Sequence, residues 1–273
     1  MPDLLIPRSA RPSRKSGYAR SQAESANPRL RDGLVGAWST GLGPTGTKLI
    51  NVARSGDGVF RSTMAASSWE RTEFRNDIRA LNFVGSDDGL TVLDKTGFNG
   101  TFGTLAFSLR KTDAGKFFSY REGMSDQLWV QRNSSTELDF LIYDASTQWT
   151  RIIGTVNDNI WTHVVCMWNN GTLKMYVDGV ESGSQSGAGA GVFDFSLSDD
   201  FFIGWSGAGA GPTCKLANIS LYDRILGDKE IRQLSTNSLA PFRLKPRLIS
   251  IPAAAGDNAM PMAIHQYKMA GGL

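Results

Sequence analysis

From Ala80 onward, short segments alternating apolar with polar residues follow one another with no helical pattern between them: ALNFVG, GLTVL, FGTLAFSLR, KFFSYR, QLWVQR, ELDFLIYD and QWTRIIG. Leu128 and Val130 alternate with Trp129 and Gln131, and Leu138, Phe140 and Ile142 alternate with Asp139 and Tyr143. Side chains two apart share one face of a strand, so each such segment offers one apolar face. The turn-forming clusters GSDDG, TDAG, EGMSD, NSST and DAST separate the segments. Strands joined by turns this short pair antiparallel, because a parallel pair needs a crossover of about a dozen residues or more. A series of this kind closes its apolar faces on each other, as a sandwich or a barrel.

Residues 161–180, WTHVVCMWNNGTLKMYVDGV, contain one of the two histidines and one of the two cysteines. They read as a strand, a turn at Asn169-Asn170-Gly171, a returning strand and a second turn at Asp178-Gly179. Trp161, His163, Val165 and Met167 fall on one face, and Thr162, Val164, Cys166 and Trp168 on the other. Both faces are largely apolar, which places this strand well inside a sheet. His163 is then expected as a packed, hydrogen-bonded residue and Cys166 as a small buried hydrophobe. The two GAGAG runs read as loops or bulges, since neither is followed by Lys-Ser/Thr or set in a βαβ unit. KLANISLYDRIL reads as one more strand, with Leu216 and Asn218 alternating with Ala217, Ile219 and Leu221. GDKEIRQLSTN reads as a short helix with Asp228 and Glu230 in its first turn and Ile231 and Leu234 on one face. Residues 40–80 show no regular pattern.

The ends differ from the body. Residues 1–32 hold seven Lys/Arg and three Asp/Glu, and residues 239–273 hold four Lys/Arg and one Asp. With a total of +3, the body between them is slightly acidic and both ends are basic. That total is too small to argue for a specific nucleic-acid partner. We therefore expect a basic extended N-terminal arm at 1–32, a β domain at 33–238, and a basic C-terminal arm with one β segment at 239–273. Residues 1–32 cannot bury enough apolar surface to fold alone, so they gain order only from a partner. Arg8, Arg11, Arg14, Lys15 and Arg20 along the first arm, with Lys245, Arg247, Ile249 and Ile251 along the second, are the expected partner-binding residues. Cys166 and Cys214 make no disulfide framework, although one bridge is open to them. The start has a three-residue apolar run before Pro7, unlike a signal peptide, and no segment approaches the roughly 18 apolar residues of a membrane span. The expectation is a soluble product of a reducing cytoplasm with no membrane partner.

Residues 80–237 resemble the laminin-G-like, concanavalin A-like jelly roll. The carriers are ALNFVGSDDGLTV, FGTLAFSLR, WTHVVCMWNNGTLKMYVDGV, FFIGWS and CKLANISLYDRILGDKEIRQL. The resemblance implies an all-β fold of two antiparallel sheets face to face, with one short C-terminal helix here. In that pattern His163 and Asp178-Gly179 are structural marks. The ends, NPRLRDGLVGAWSTGLGPTG and LAPFRLKPRLISIP, are similar to those of tailed-phage virion proteins that carry this domain, through Pro241, Lys245, Pro246, Arg247, Ile249, Ile251 and Pro252. This second resemblance implies a noncatalytic virion structural protein, a capsid decoration protein first of all. Its arms would bind the major capsid protein, another virion protein or a second copy. The alternative is a carbohydrate-binding receptor or tail-associated adhesion module.

Reactive groupings are sparse. Related jelly rolls include glucanases, but their E-x-D-x-x-E string is absent, and a histidine-based triad has only His163 and His265 to draw on. No catalytic residues are assigned and no enzyme is expected. Cys/His spacing for zinc is absent. Calcium has more to draw on than zinc: Asp87-Asp88-Gly89 or Asp199-Asp200 would offer loop oxygens, although acidic Gly turns are ordinary, and no metal ligand is assigned. Trp69, Trp149 and Trp205 are candidates for a shallow glycan platform, against the alternative of buried sandwich aromatics.

Overall fold

A computed structural model describes residues 22–23, 25–40, 48–53, 57–60, 69–71, 79–84, 88–95, 97–98, 101–111, 115–122, 125–132, 134–143, 149–170, 172–186, 200–204 and 212–245. In chain order the strands are β1 (Leu34–Trp38), β2 (Lys48–Leu49), β3 (Gly58–Phe60), β4 (Trp69–Arg71), β5 (Arg79–Phe83), β6 (Leu90–Val92), β7 (Phe102–Lys111) and β8 (Gly115–Glu122). They continue with β9 (Ser125–Arg132), β10 (Glu137–Tyr143), β11 (Trp149–Thr155), β12 (Thr162–Asn169), β13 (Thr172–Val177), β14 (Val180–Ser186), β15 (Phe201–Ile203) and β16 (Cys214–Tyr222). A helix, α1 (Asp228–Thr236), follows, and short 3-10 helices lie at Pro28–Arg31 and Ala240–Phe242. The segment read as irregular, 40–80, thus contributes three strands of two or three residues, too short to show a period.

The strands form two antiparallel sheets. One runs β14-β13-β12-β7-β16-β5-β4, with β1 also on β16, and the other β11-β10-β9-β8-β15-β6-β3-β2. This is the two-sheet jelly-roll sandwich that the family resemblance implies, and one of the two closures that the alternation allows. Leu105, Phe107 and Leu109 of β7 and Val164, Cys166 and Trp168 of β12 face Phe118, Val130, Phe140 and Ile152 of the second sheet in one core. Phe107 and Phe118 approach to 4.5 Å between ring centroids, and Phe140 lies 6.4 Å from Trp168. Trp168 reaches this position because residue 103 is glycine: a Cβ there would sit 2.3 Å from the indole.

The first sheet is dry on its other face too. Ala106, Val165, Met167, Tyr176 and Tyr222 pack there against Leu30, Leu226, Ile231, Leu234, Ala240 and Phe242. The α1 helix and both 3-10 helices therefore form a third layer, which explains why β12 is apolar on both sides. The expected boundaries at 32/33 and 238/239 do not coincide with the limits of packing: Leu30 is buried on one side, and Ala240, Pro241 and Phe242 on the other.

In β16 the simple alternation fails. Asn218 takes φ 51° and the pairing with β7 shifts register between Ala217 and Ser220. This bulge puts Leu216, Ile219 and Leu221 into the same core, where strict period two would have divided them. The buried Asn218 amide donates to Ser238 Oγ at 2.9 Å, tying the bulge to the chain after α1.

The two cysteines are buried and free. Cys166 pairs across from Leu105 and Cys214 from Lys111 on the same strand, β7. Six residues of strand separate them by about 20 Å, far beyond disulfide reach. Burial pushes both thiols well above their usual range.

Phe242 is fully buried and Leu244 is 44% exposed. Replacing Phe242 by Ala in the full chain is expected to cost about 3–5 kcal/mol in urea unfolding, whereas Leu244→Ala should stay within about 0.5 kcal/mol. Equal, small costs would mean that the third layer is not part of the core.

Candidate functional site

Two surfaces gather chemistry, and they lie on opposite sides of the sandwich. The first is the outer face of the second sheet. Gln131 pairs with Asp139, which pairs with Ile153 of β11, and Trp129 pairs with Leu141, which pairs with Arg151. These residues alternate with the core residues Val130, Phe140 and Ile152, so they point outward. Lys116 pairs with Gln131 and carries its Nζ 3.9 Å from the Trp129 ring centroid. Asp139 is 1% exposed, and Arg151 donates through Nη2 to both its oxygens at 2.9–3.0 Å. Gln131 Nε2 reaches Asp139 Oδ2 at 3.5 Å, and at the rim Arg132 Nη2 meets Asp158 at 2.9 Å.

This face offers an indole, an ammonium, an amide and a guanidinium around a buried carboxylate. Glu137 and Asp139 also share the outer side of β10. Asp139 is already engaged by Arg151, and Ile142, further along the strand, is a buried core residue. The arrangement suits binding through stacking and hydrogen bonds.

The second surface is where the chain ends leave the third layer. Ser25 and Leu244 form an antiparallel bridge, and Ala26 N donates to Arg243 O at 2.8 Å. Asn27 Nδ2 donates to Ala240 O at 2.9 Å, and Gln233 Nε2 of α1 donates to Asn27 Oδ1 at 2.7 Å. The bridge sets Ser25 and Leu244 side by side at the edge of the third layer. Arg224 anchors this layer. Its Nη1 and Nη2 donate to both oxygens of Glu230 at 2.9 and 2.7 Å, its Nε to Asp32 O at 2.9 Å and its Nη2 to Arg29 O at 2.7 Å. Burial alone would raise the Glu230 carboxyl, but hydrogen bonds from Arg224 and from the Gly227 N–H outweigh it and hold the group below its ordinary value.

The residues singled out from sequence are distributed as follows. Arg8, Arg11, Arg14, Lys15, Arg20, Arg247, Ile249, Ile251 and Trp205 lie outside the described residues, while Lys245 is exposed beside the chain exit. Trp69 and Trp149 are placed by backbone only, in β4 and β11. Asp87 and Asp199 are outside the described residues. Asp88 is buried and its Oδ2 accepts the Val84 N–H at 2.9 Å, as a turn residue does. Among the described residues no three His, Cys, Asp or Glu gather for a metal, and no helix is long and apolar enough to cross a membrane.

His163 is 3% exposed. Its N–H donates to Asp178 Oδ1 and its carbonyl accepts the Asp178 N–H, each at 2.8 Å, while Nδ1 lies 3.4 Å from Ser108 Oγ. The carboxylate grips the histidine backbone, so this grouping clamps the Asp178-Gly179 turn to β12. Sequence reasoning passed over Trp129, Lys116, Gln131, Asp139 and Arg151 as a site. Their signal was the polar half of the alternation in QLWVQR and ELDFLIYD.

The family model for the concanavalin A-like lectin/glucanases superfamily matches residues 84–232, more than half of the chain. No curated protein matches the chain by sequence. Among solved structures, the chain is similar to the binding domain of Paraclostridial Mosquitocidal Protein 1, with TM-score 0.58 and 14% identity over 76% of this chain and 52% of that one. It is also similar to a sialidase of Trypanosoma rangeli, with TM-score 0.54 and 23% identity over 74% of this chain and 32% of that one. The chain spans about half the length of the first and a third of the second, and at these identities the likeness is one of fold.

Glu230 supplies a pH test. A carboxyl held below its ordinary value contributes stability that is present above the ordinary carboxylate range and is lost as pH falls through the folded value. The Tm gap between the natural protein and Glu230→Gln should be full at neutral pH and close in acid. A gap independent of pH would remove the ion pair from the account.

Proposed function

The chain belongs to the concanavalin A-like lectin/glucanases superfamily, and we propose that it acts as a noncatalytic attachment module, a rigid sandwich held to its partner by two arms. The observation that carries this reading is the bridge between Ser25 and Leu244. It sets the roots of the two basic arms at one point on the body, which supports their engaging a single partner surface together. Basic side chains favour an acidic partner, and a segment such as RLISI can add a strand to a sheet edge. Several weak contacts on linked arms gain through avidity. The finer reading rests on the resemblance of the ends to phage virion proteins: a capsid decoration protein whose partner is the major capsid protein, another virion protein or a second copy. Deleting residues 1–21 should leave the thermal transition within a few degrees of the full chain and reduce occupancy on particles, more so as salt rises. Full occupancy by the truncated protein at every salt concentration would place attachment on the body instead.

A second reading, carbohydrate binding, is favoured by the Lys116–Trp129 stack beside Gln131, Asp139 and Arg151. This face lies on the side of the body away from the Ser25–Leu244 bridge, so the two readings are compatible. Trp129→Ala should abolish binding to immobilised oligosaccharides while particle occupancy persists. Loss of occupancy with glycan binding retained would reverse the two assignments.

A further inference from the structure

The position of Lys116 narrows the ligand of that face. A sugar ring stacking on Trp129 needs the indole face that the Lys116 ammonium covers at 3.9 Å. A neutral ring would displace the ammonium and forfeit a cation–π contact without replacing it. A ring bearing a carboxylate or sulfate would displace it and then hold it, as a charge-assisted hydrogen bond replaces the contact. A second cation stands across the face: Arg151, three strands away from Lys116 and 41% exposed, with Asp139 holding one of its terminal nitrogens. The Asp139 carboxylate is buried and bonded by Arg151, with Gln131 Nε2 at 3.5 Å, so these contacts offset its charge. We propose that the outer face of β8–β11 selects acidic over neutral oligosaccharides, with Trp129 as the stacking platform and Lys116 as the residue that reads the negative charge. This rests on the carbohydrate-binding reading above.

The test is calorimetric titration of the full chain with two oligosaccharides of equal length, one neutral and one carrying uronate carboxylates, and with a sulfated counterpart to separate the anion types. The acidic ligands should bind about tenfold more tightly at low salt, and the ratio should shrink as salt rises. Lys116→Gln should remove the preference by improving neutral binding and weakening acidic binding, Lys116→Arg should keep it, and Trp129→Ala should lose both ligands. Each variant is to be melted first, so that misfolding is not read as lost binding. Binding with equal affinity for neutral and acidic ligands, or a preference untouched in Lys116→Gln, would overturn the inference and leave carbohydrate binding standing. No binding of any ligand by the folded natural protein would remove both.

Discussion

Burial of Val165, Met167 and Tyr176 on the side of the first sheet away from the sandwich interior is the constraint on which the rest of the molecule depends. A jelly roll can leave that side wet if its strands are polar there. Here they are not, so the chain must supply a lid of its own. Segments before β1 and after β16 provide it, through Leu30, Leu226, Ile231, Leu234 and Phe242. The same packing pushes the Tyr176 hydroxyl up to about 12, by burial first and by the neighbouring Glu181 carboxylate next. Arg224 then joins the two contributors, since it bonds both the turn before β1 and the first turn of α1.

This dependence explains which features were legible in the sequence. Strands such as β9 and β10 were legible because seven or eight residues of period two leave a clear signal, β12 because an apolar run ends at turn residues, and α1 because two acids and two apolar residues fall at helical spacing. The third layer was not, because 3-10 helices of three or four residues have no period to read, and Leu30 looks like one apolar residue in a polar arm. The bulge at Asn218 was hidden for a related reason. An inserted residue shifts every later side chain to the other face, and only the pairing with β7 reveals where the shift occurs.

The candidate face was half legible. Trp129, Gln131 and Asp139 were visible as the other half of the alternation in two strands, although none was singled out. Their meeting with Lys116 and Arg151 depends on register across four strands, which short-range patterns do not carry. Trp69, Trp149 and Trp205 drew attention by residue type alone, a weak guide in a fold that spends several aromatics on its core. The arms were legible as charge and composition, whereas the closeness of their roots was not, because Ser25 and Leu244 lie at opposite ends of the chain and carry no mutual signal.

That closeness bears on how such a body travels between proteins. A unit in which Ser25 and Leu244, near its two ends, are bridged neighbours spans almost no distance at its base. It can replace a surface loop of another protein without stretching the host on either side, since the gap that it must bridge is that of one strand pair. The host would feel it as an enlarged loop, and its own folding would be coupled to the insert only through that short base. A sandwich closed in this way is portable, and its outer sheet can diverge while the base stays fixed.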